Sequence, residues 1–311
     1  MSLPLLSARA VHKSFGPVHA VRDFDLNVRR GELFGLIGPD GAGKTTLMRM
    51  LVTLLRPDDG SILVDGHDVV SEMRHIRAIT GYMPQRFSLY GDLSVEQNLH
   101  FFADLFEVPR AELAARKKRL YEFSRLEPFA KRLAGRLSGG MKQKLALSCT
   151  LIHDPVLLVL DEPTTGVDPV SRMEFWTILR ELRAQGITIV VSTPYMDEAL
   201  LCDRVIIMHE GRALAEGSPA ELIARHPWPM LEVAPRDVGA AARELAALPG
   251  VHAVQGFGDV LHVSARDEQY AKALHENLRA QYGAAAVRAI EPTFEDVFIH
   301  YIEEEAHEHA A

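Results

Sequence analysis

Residues 31–46 read Gly-Glu-Leu-Phe-Gly-Leu-Ile-Gly-Pro-Asp-Gly-Ala-Gly-Lys-Thr-Thr: an apolar run enters a glycine-rich loop and leaves it on a lysine and two threonines. The loop fits G-x-x-x-x-G-K-[ST], between a predicted strand and a helix predicted over Thr46–Leu55. Glycines at 38, 41 and 43 let the backbone wrap a phosphate chain with its N–H groups inward, at the positive end of a helix. Lys44 can reach the outer phosphates, and the Thr45 hydroxyl can ligate Mg²⁺. β-rich runs alternate with helical patterns over residues 1 to about 226, so the chain is expected to be an α/β protein with crossover helices.

The 311 residues are enough for about two domains. With 47% hydrophobic and 24% charged residues the chain can bury a core, which excludes disordered, collagen-like and coiled-coil classes. The net charge of -8 gives no global electrostatic reason to bind nucleic acid, and none is expected as a partner. Two cysteines, Cys149 and Cys202, cannot frame a disulfide scaffold and read as buried small hydrophobes of a reducing compartment. Met1 to Ala10 lacks the pattern of a signal peptide, and no apolar run reaches the roughly 18–20 residues of a membrane span. A membrane part, if the protein works there, is expected from another chain.

Residues 1–226 alternate β-rich runs with helical patterns. Val156 to Leu160 and Ile187 to Ser192 read as buried strands ending in polar residues, and Val205 to Met208 as a further strand. Residues 92–152 are helical in pattern, a helical subdomain in which the basic run Arg116 to Arg119 reads as a solvated face. Near His226-Pro-Trp-Pro229 the composition shifts, which places a boundary at 226/227. Beyond it, strands at 229–234, 251–256, 258–264 and 285–290 and helices at 237–248 and 266–282 give the order β-α-β-β-α-β of a ferredoxin-like module, with Gly256-Phe-Gly258 as its hairpin turn. A closing helix follows from Pro292 to Glu304, then an acidic tail whose His307 and His309 read as solvated.

Two further motifs carry chemistry. Val156 to Pro163 is an apolar strand delivering Asp161 and Glu162 at its end: Asp161 can hold Mg²⁺ through its water shell, and Glu162 can act as general base on a water. Leu137-Ser-Gly-Gly-Met-Lys-Gln-Lys144 precedes a helix, so Ser138, Gly139 and Gly140 can make a second anion cradle. One nucleotide does not need two cradles from one chain. Either this one serves a nucleotide held by another chain, or Ser138 is an ordinary N-cap.

On these motifs, residues 1 to about 225 resemble the nucleotide-binding subunit of ATP-binding cassette (ABC) transporters. The resemblance extends to Gln85 in Gly81-Tyr-Met-Pro-Gln85, Asp168 in Gly166-Val-Asp-Pro169 and Met196-Asp-Glu-Ala199. The tail ending Glu291-Pro-Thr-Phe-Glu-Asp-Val-Phe298 resembles that of ABC-2-type drug and polysaccharide export ATPases; the loop and signature resemble the first half of tandem-cassette bacterial multidrug export ATPases. The resemblance implies an ATPase with a P-loop core, ATP and Mg²⁺ as ligands, and nucleotide contacts from Gly38, Pro39, Asp40, Gly41, Ala42, Gly43, Lys44, Thr45 and Thr46. It implies adenine stacking by Phe15, Mg²⁺ ligation by Thr45, Gln85 and Asp161, a signature (Ser138, Gly139, Gly140, Met141) acting on the partner's nucleotide, and an inter-cassette contact at Asp168. A polytopic permease would dock near Phe87, Leu89 and Tyr90, unless these are buried in the helical subdomain, and would hold the chain at the inner face of the plasma membrane.

Three positions depart from the family pattern. Asp40 replaces an asparagine, Met141 a glutamine, and Pro194 the switch histidine. The last implies impaired hydrolysis, and of the two pairings open to the chain, with a second copy or with a different, competent cassette, it favours the latter. Two rivals stand beside an exporter ATPase: a degenerate cassette that holds ATP but scarcely hydrolyses it, and a soluble ABC protein acting on ribosomes or DNA.

Overall fold

The computed structural model describes residues 4–86 and 89–310, with side chains as far as residue 306. Phe87, and the side chains of His307 and His309, lie outside the described set. The chain divides into two compact units between Ser218 and Pro219. The division precedes 226/227 because a short helix, Pro219–Ala224, packs on the last helix of the second unit.

The first unit runs β1 (Leu6–Phe15), β2 (Val18–Val28), β3 (Leu33–Ile37), α1 (Lys44–Leu51), β4 (Asp59–Val64), β5 (His67–Asp68), α2 (Met73–Ile79), β6 (Thr80–Met83), α3 (Val95–Leu105), α4 (Arg110–Ser124), α5 (Gly139–Leu151), β7 (Leu157–Asp161), α6 (Pro169–Ala184), β8 (Thr188–Thr193), α7 (Met196–Ala199), β9 (Arg204–His209) and β10 (Arg212–Gly217). Six strands form a sheet in the order β10-β9-β3-β8-β7-β6, parallel except for β10. Its strands β3, β7 and β8 are buried at every residue, as near-continuous apolar runs covered on both faces should be. An antiparallel sheet, β2-β1-β4-β5, lies across α1. Leu47, Met48, Met50 and Leu51 of α1 join one core with Phe24 and Leu26 of β2 and Leu157 and Val159 of β7. Helix α1 begins at Lys44 and ends at Leu51, displaced N-terminally from the predicted 46–55, because the positive-φ Gly43 serves as its N-cap.

In the helical region, Ser94 and Gln97 form a capping box at the head of α3. The fully buried Asn98 amide donates to the carbonyls of Tyr90, Leu93 and Ser94, fixing the segment that leads into the helix.

The second unit contains α8 (Pro219–Ala224), β11 (Met230–Val233), α9 (Val238–Ala246), β12 (Val251–Phe257), β13 (Val260–Ala265), α10 (Glu268–Tyr282), β14 (Val287–Ile290) and α11 (Phe294–Ala310). Sheet order β12-β13-β11-β14, every pair antiparallel, is the ferredoxin-like arrangement. Leu231, Val233, Leu261 and Val263 face α9 and α10. The alternate residue His262 points the other way, where its Nδ1 hydrogen-bonds Asp296 of α11 at 2.9 Å. The hairpin turns at Gly258-Asp259, beyond the predicted Gly256–Gly258, and only Gly258 of that set has a positive φ (64°). No helix among the described residues is long and apolar enough to cross a membrane.

Candidate functional site

The loop after β3 and the residue that follows β7 line a cavity of about 690 Å³. Asp40 to Thr46 line it, together with Pro17 to Ala20, Arg22, Gln85, Glu162 and Glu210. Gly41 (φ 84°) and Gly43 (φ 100°) need the left-handed region that glycine tolerates. Gly38 is required for a different reason: a Cβ there would overlap the Met208 carbonyl oxygen on β9, so its role is close packing. The buried Lys44 ammonium donates to the carbonyls of Gly38 (2.8 Å) and Pro39 (3.0 Å) and lies 3.2 Å from Glu162 Oε1.

Strand register sets the acids. Asp161 of β7 pairs with Ser192 of β8. Its Oδ1 accepts from Ser192 Oγ at 2.9 Å and from Thr45 Oγ1 at 3.0 Å, while its Oδ2 is buried with no partner. Burial pushes the Asp161 carboxyl above the ordinary carboxylate range; the Thr45 and Ser192 hydroxyls pull it down and the neighbouring Glu162 adds to the rise. An orphaned buried carboxylate oxygen, with a threonine hydroxyl on the same carboxylate, is an oxygen donor pair that fits Mg²⁺; Gln85, whose Nε2 bonds Glu162, can add its amide oxygen. Glu162 is at φ 47°, an uncommon conformation for a residue with a side chain, held by a hydrogen bond from its N–H to Ser192 Oγ at 3.0 Å. Its Oε2 accepts from Gln85 Nε2 at 2.8 Å and from Thr165 Oγ1 at 3.4 Å.

The structure thus brings Lys44, Thr45, Gln85, Asp161 and Glu162 together. Phe15 is not among the cavity's lining residues: its ring is 50% exposed, with Lys13 Nζ 5.7 Å from the centroid. Ser138 caps α5, accepting from Met141 N–H at 3.3 Å, and none of Ser138, Gly139, Gly140 or Met141 lines the cavity. A Cβ on Gly139 would meet only open space, whereas one on Gly140 would overlap the Ser171 side chain of α6. Gly140 is therefore needed for helix packing, whatever it does toward a ligand. Asp168 caps α6, accepting from Ser171 N–H at 3.0 Å, which holds its exposed carboxyl below the ordinary range. Pro194 follows β8, half-buried. Sequence reasoning missed Ser192 and Thr165; the available signal was the polar end of β8, whose partner only the strand register identifies.

The ABC transporter family model matches residues 21–165, and that of the C-terminal domain of DrrA1-3-like ATP-binding proteins matches residues 217–302. The chain is 51% identical over 203 residues to the probable multidrug ABC transporter ATP-binding protein YbhF of Escherichia coli strain K12; the match covers 65% of this chain and 35% of that protein, so the chain spans about a third of that relative's length. It is 38% identical over 305 residues to the Nod factor export ATP-binding protein I of Ralstonia nicotianae, covering 96% of this chain and 94% of the relative. A solved ATP-binding subunit of an ABC transporter superposes with TM-score 0.65 at 30% identity, over 71% of this chain and 92% of the other. With that coverage, and with the phosphate loop and paired acids gathered at one cavity, the chain belongs to the ABC transporter ATP-binding protein family.

Proposed function

We propose that the chain is the ATP-hydrolysing cassette of an ABC-2-type exporter and works beneath a separate membrane permease. The observation that carries the chemistry is the grouping of Lys44, Gln85 and Glu162 in one hydrogen-bonded set at the cavity. The Lys44 ammonium, shared between two carbonyls and Glu162, is the cation placed to take the outer phosphates of ATP. The loop N–H groups at the head of α1 take the remaining charge. Glu162 accepts the proton of the attacking water, whose oxygen bonds to the γ-phosphorus as the bridge to ADP breaks; Gln85 holds the carboxylate from the side opposite Lys44. Mg²⁺, held by Thr45, Asp161 and Gln85, would neutralise charge on the phosphate oxygens.

A second cassette supplies the remaining contacts. The signature segment is absent from the cavity lining and has open space over Gly139, which suits a nucleotide held by a partner. The exporter assignment is supported by the names of the relatives, and the ABC-2 branch rests on the resemblance of the tail ending Glu291 to Phe298. For the permease, the segment to Tyr90 offers an exposed aromatic strip: Tyr90 packs edge-on against Phe101, centroids 4.5 Å apart, with Leu105 exposed nearby on α3. This membrane partner would hold the chain at the inner face of the plasma membrane. The test is Lys44→Ala: a fluorescent ATP analogue should bind at least about tenfold more weakly and ATP-driven pairing should vanish. Unchanged affinity and pairing would remove the central claim.

One observation favours a second reading, a degenerate cassette paired with a competent one. Pro194 offers neither a side-chain donor nor an N–H at the position after β8. If that donor is what hydrolysis lacks here, Pro194→His should raise turnover of the full chain by up to about 10²-fold. A fast unmodified chain that histidine does not improve refutes impairment.

A further inference from the structure

Outside the cavity lining lies a further buried carboxylate that the chemistry above does not use. Glu198 of α7 has a side chain only 1% exposed, and three donors converge on it. Thr164 Oγ1 donates to Oε1 at 2.7 Å, Arg172 Nε to the same oxygen at 3.0 Å, and Thr193 Oγ1 to Oε2 at 2.5 Å. The donors come from three segments: Thr164 two residues beyond Glu162, Thr193 directly before Pro194, and Arg172 in the first turn of α6, the helix Asp168 caps. Arg172 also grips α7 and the residue before it. Its Nη2 donates to both oxygens of Asp197, at 2.9 and 3.2 Å, and its guanidinium sits 4.3 Å from the Tyr195 ring centroid.

A buried ion pair is weak evidence for stability, because desolvation offsets most of its attraction and apolar replacements of similar shape often serve as well. What such a pair does well is fix geometry, and here the geometry links two loops at the site to the helix bearing Asp168. Of the polar side chains ending β8, Ser192 reaches the acids directly and Thr193 reaches Thr164 through Glu198. Pro194, next in line, has no side-chain donor to add. On the α6 side, Ser171 abuts Gly140 of the signature helix.

We propose that Arg172 and Glu198 are positioning residues for hydrolysis: they clamp the loop following Glu162 to the Asp168 end of α6, so that docking of a second cassette sets the placement of Glu162. The inference rests on the ATPase reading, so binding of a fluorescent ATP analogue to the unmodified full chain is measured first; absence of binding overturns both. Arg172→Met alone strands the buried Glu198 carboxylate and should lower the melting temperature, whereas Glu198→Gln leaves Arg172 paired with Asp197 and should lower it less. The double variant strands no charge and should melt near the unmodified chain. Its KM for ATP should stay within about twofold while kcat falls about tenfold or more, the signature of misplacement in place of lost binding. Should kcat recover together with the melting temperature in the double variant, the pair is structural only and the proposal is wrong. Thr164→Val, which removes one neutral donor and spares the ion pair, is the safeguard against a misfolded double variant. It should lower kcat by about threefold to tenfold at unchanged KM, and an unchanged kcat in that folded variant also overturns the proposal.

Discussion

Ser192→Ala tests the site at its least conspicuous member. The hydroxyl is fully buried and bridges the two acids, donating to Asp161 Oδ1 at 2.9 Å and accepting from the Glu162 N–H at 3.0 Å. Alanine keeps the strand and removes only that bridge. The Glu162 N–H is then buried without a partner, at a cost of about 1–3 kcal/mol, and Asp161 keeps Thr45 but loses a charge-assisted bond of similar worth. Because the two losses share one atom they do not add fully, and about 2–4 kcal/mol is expected. For a unit of this size that lowers the melting temperature by roughly 5–15 °C. The kinetic consequence follows from Glu162's φ of 47°, a conformation that persists only while its surroundings enforce it. Released from Ser192, the carboxylate should drift, and kcat should fall about 10–100-fold with little change in KM. Thermal melting followed by circular dichroism, and steady-state phosphate release, read the two effects. A melting temperature within 2 °C of the unmodified chain and a kcat within about twofold would show that the bridge does not hold the acids in place.

Gly139→Ala and Gly140→Ala should diverge: the first Cβ meets open space and should leave melting unchanged, while the second must push Ser171 of α6 aside and should lower it by several degrees. Gly139→Asp should leave ATP binding to the isolated chain nearly intact yet stop turnover of the paired cassettes by repelling the partner's γ-phosphate; equal loss of binding in the monomer would show action in cis. In the second unit, burial pushes the Asp296 carboxyl up, but hydrogen bonds from His262 and Thr293 outweigh it and hold the group below the ordinary range. A depressed carboxylate contributes stability above its unfolded value, about 3.9, and loses it as pH falls through the folded value. Unfolding followed by Trp228 fluorescence in a Trp176→Phe background should therefore weaken below about pH 4, and Asp296→Asn should flatten that dependence.

The parts of the fold legible in the sequence are those written in adjacent residues. The apolar run into Gly38–Thr46 and the strand ending in Asp161-Glu162 announce themselves locally, and so does the β-α-β-β-α-β order of the second unit. The long strands β1 and β2 are harder to read, because bulges between Ala8 and Ser14 interrupt the two-residue alternation and Ala10 adopts φ 46°. Ser192 and Glu198 carry no local sign of their partners: their contacts span 30 to 34 residues to Glu162, Asp161 and Thr164, and depend on which strand lies beside which. Gly140 fits a cradle motif by sequence, yet its lack of a side chain is demanded by α6, which pattern cannot reveal.

The same register explains why Pro194 is compatible with the fold. Ile37 of β3 lies opposite Thr193, and Ser192 lies opposite Asp161, so the three strand ends are aligned before residue 194 is reached. Thr193 then closes the strand by hydrogen-bonding both Glu198 and the Tyr195 N–H, at 2.5 and 3.0 Å. Those bonds settle the path of the chain on either side of the proline, whose own missing N–H removes nothing from the ladder once β8 has ended. The sheet, the phosphate loop and the paired acids are therefore independent of what stands at 194. Pro194 is not among the residues that line the cavity, so Pro194→His tests, at constant fold, whether a longer side chain from the end of β8 can reach the site.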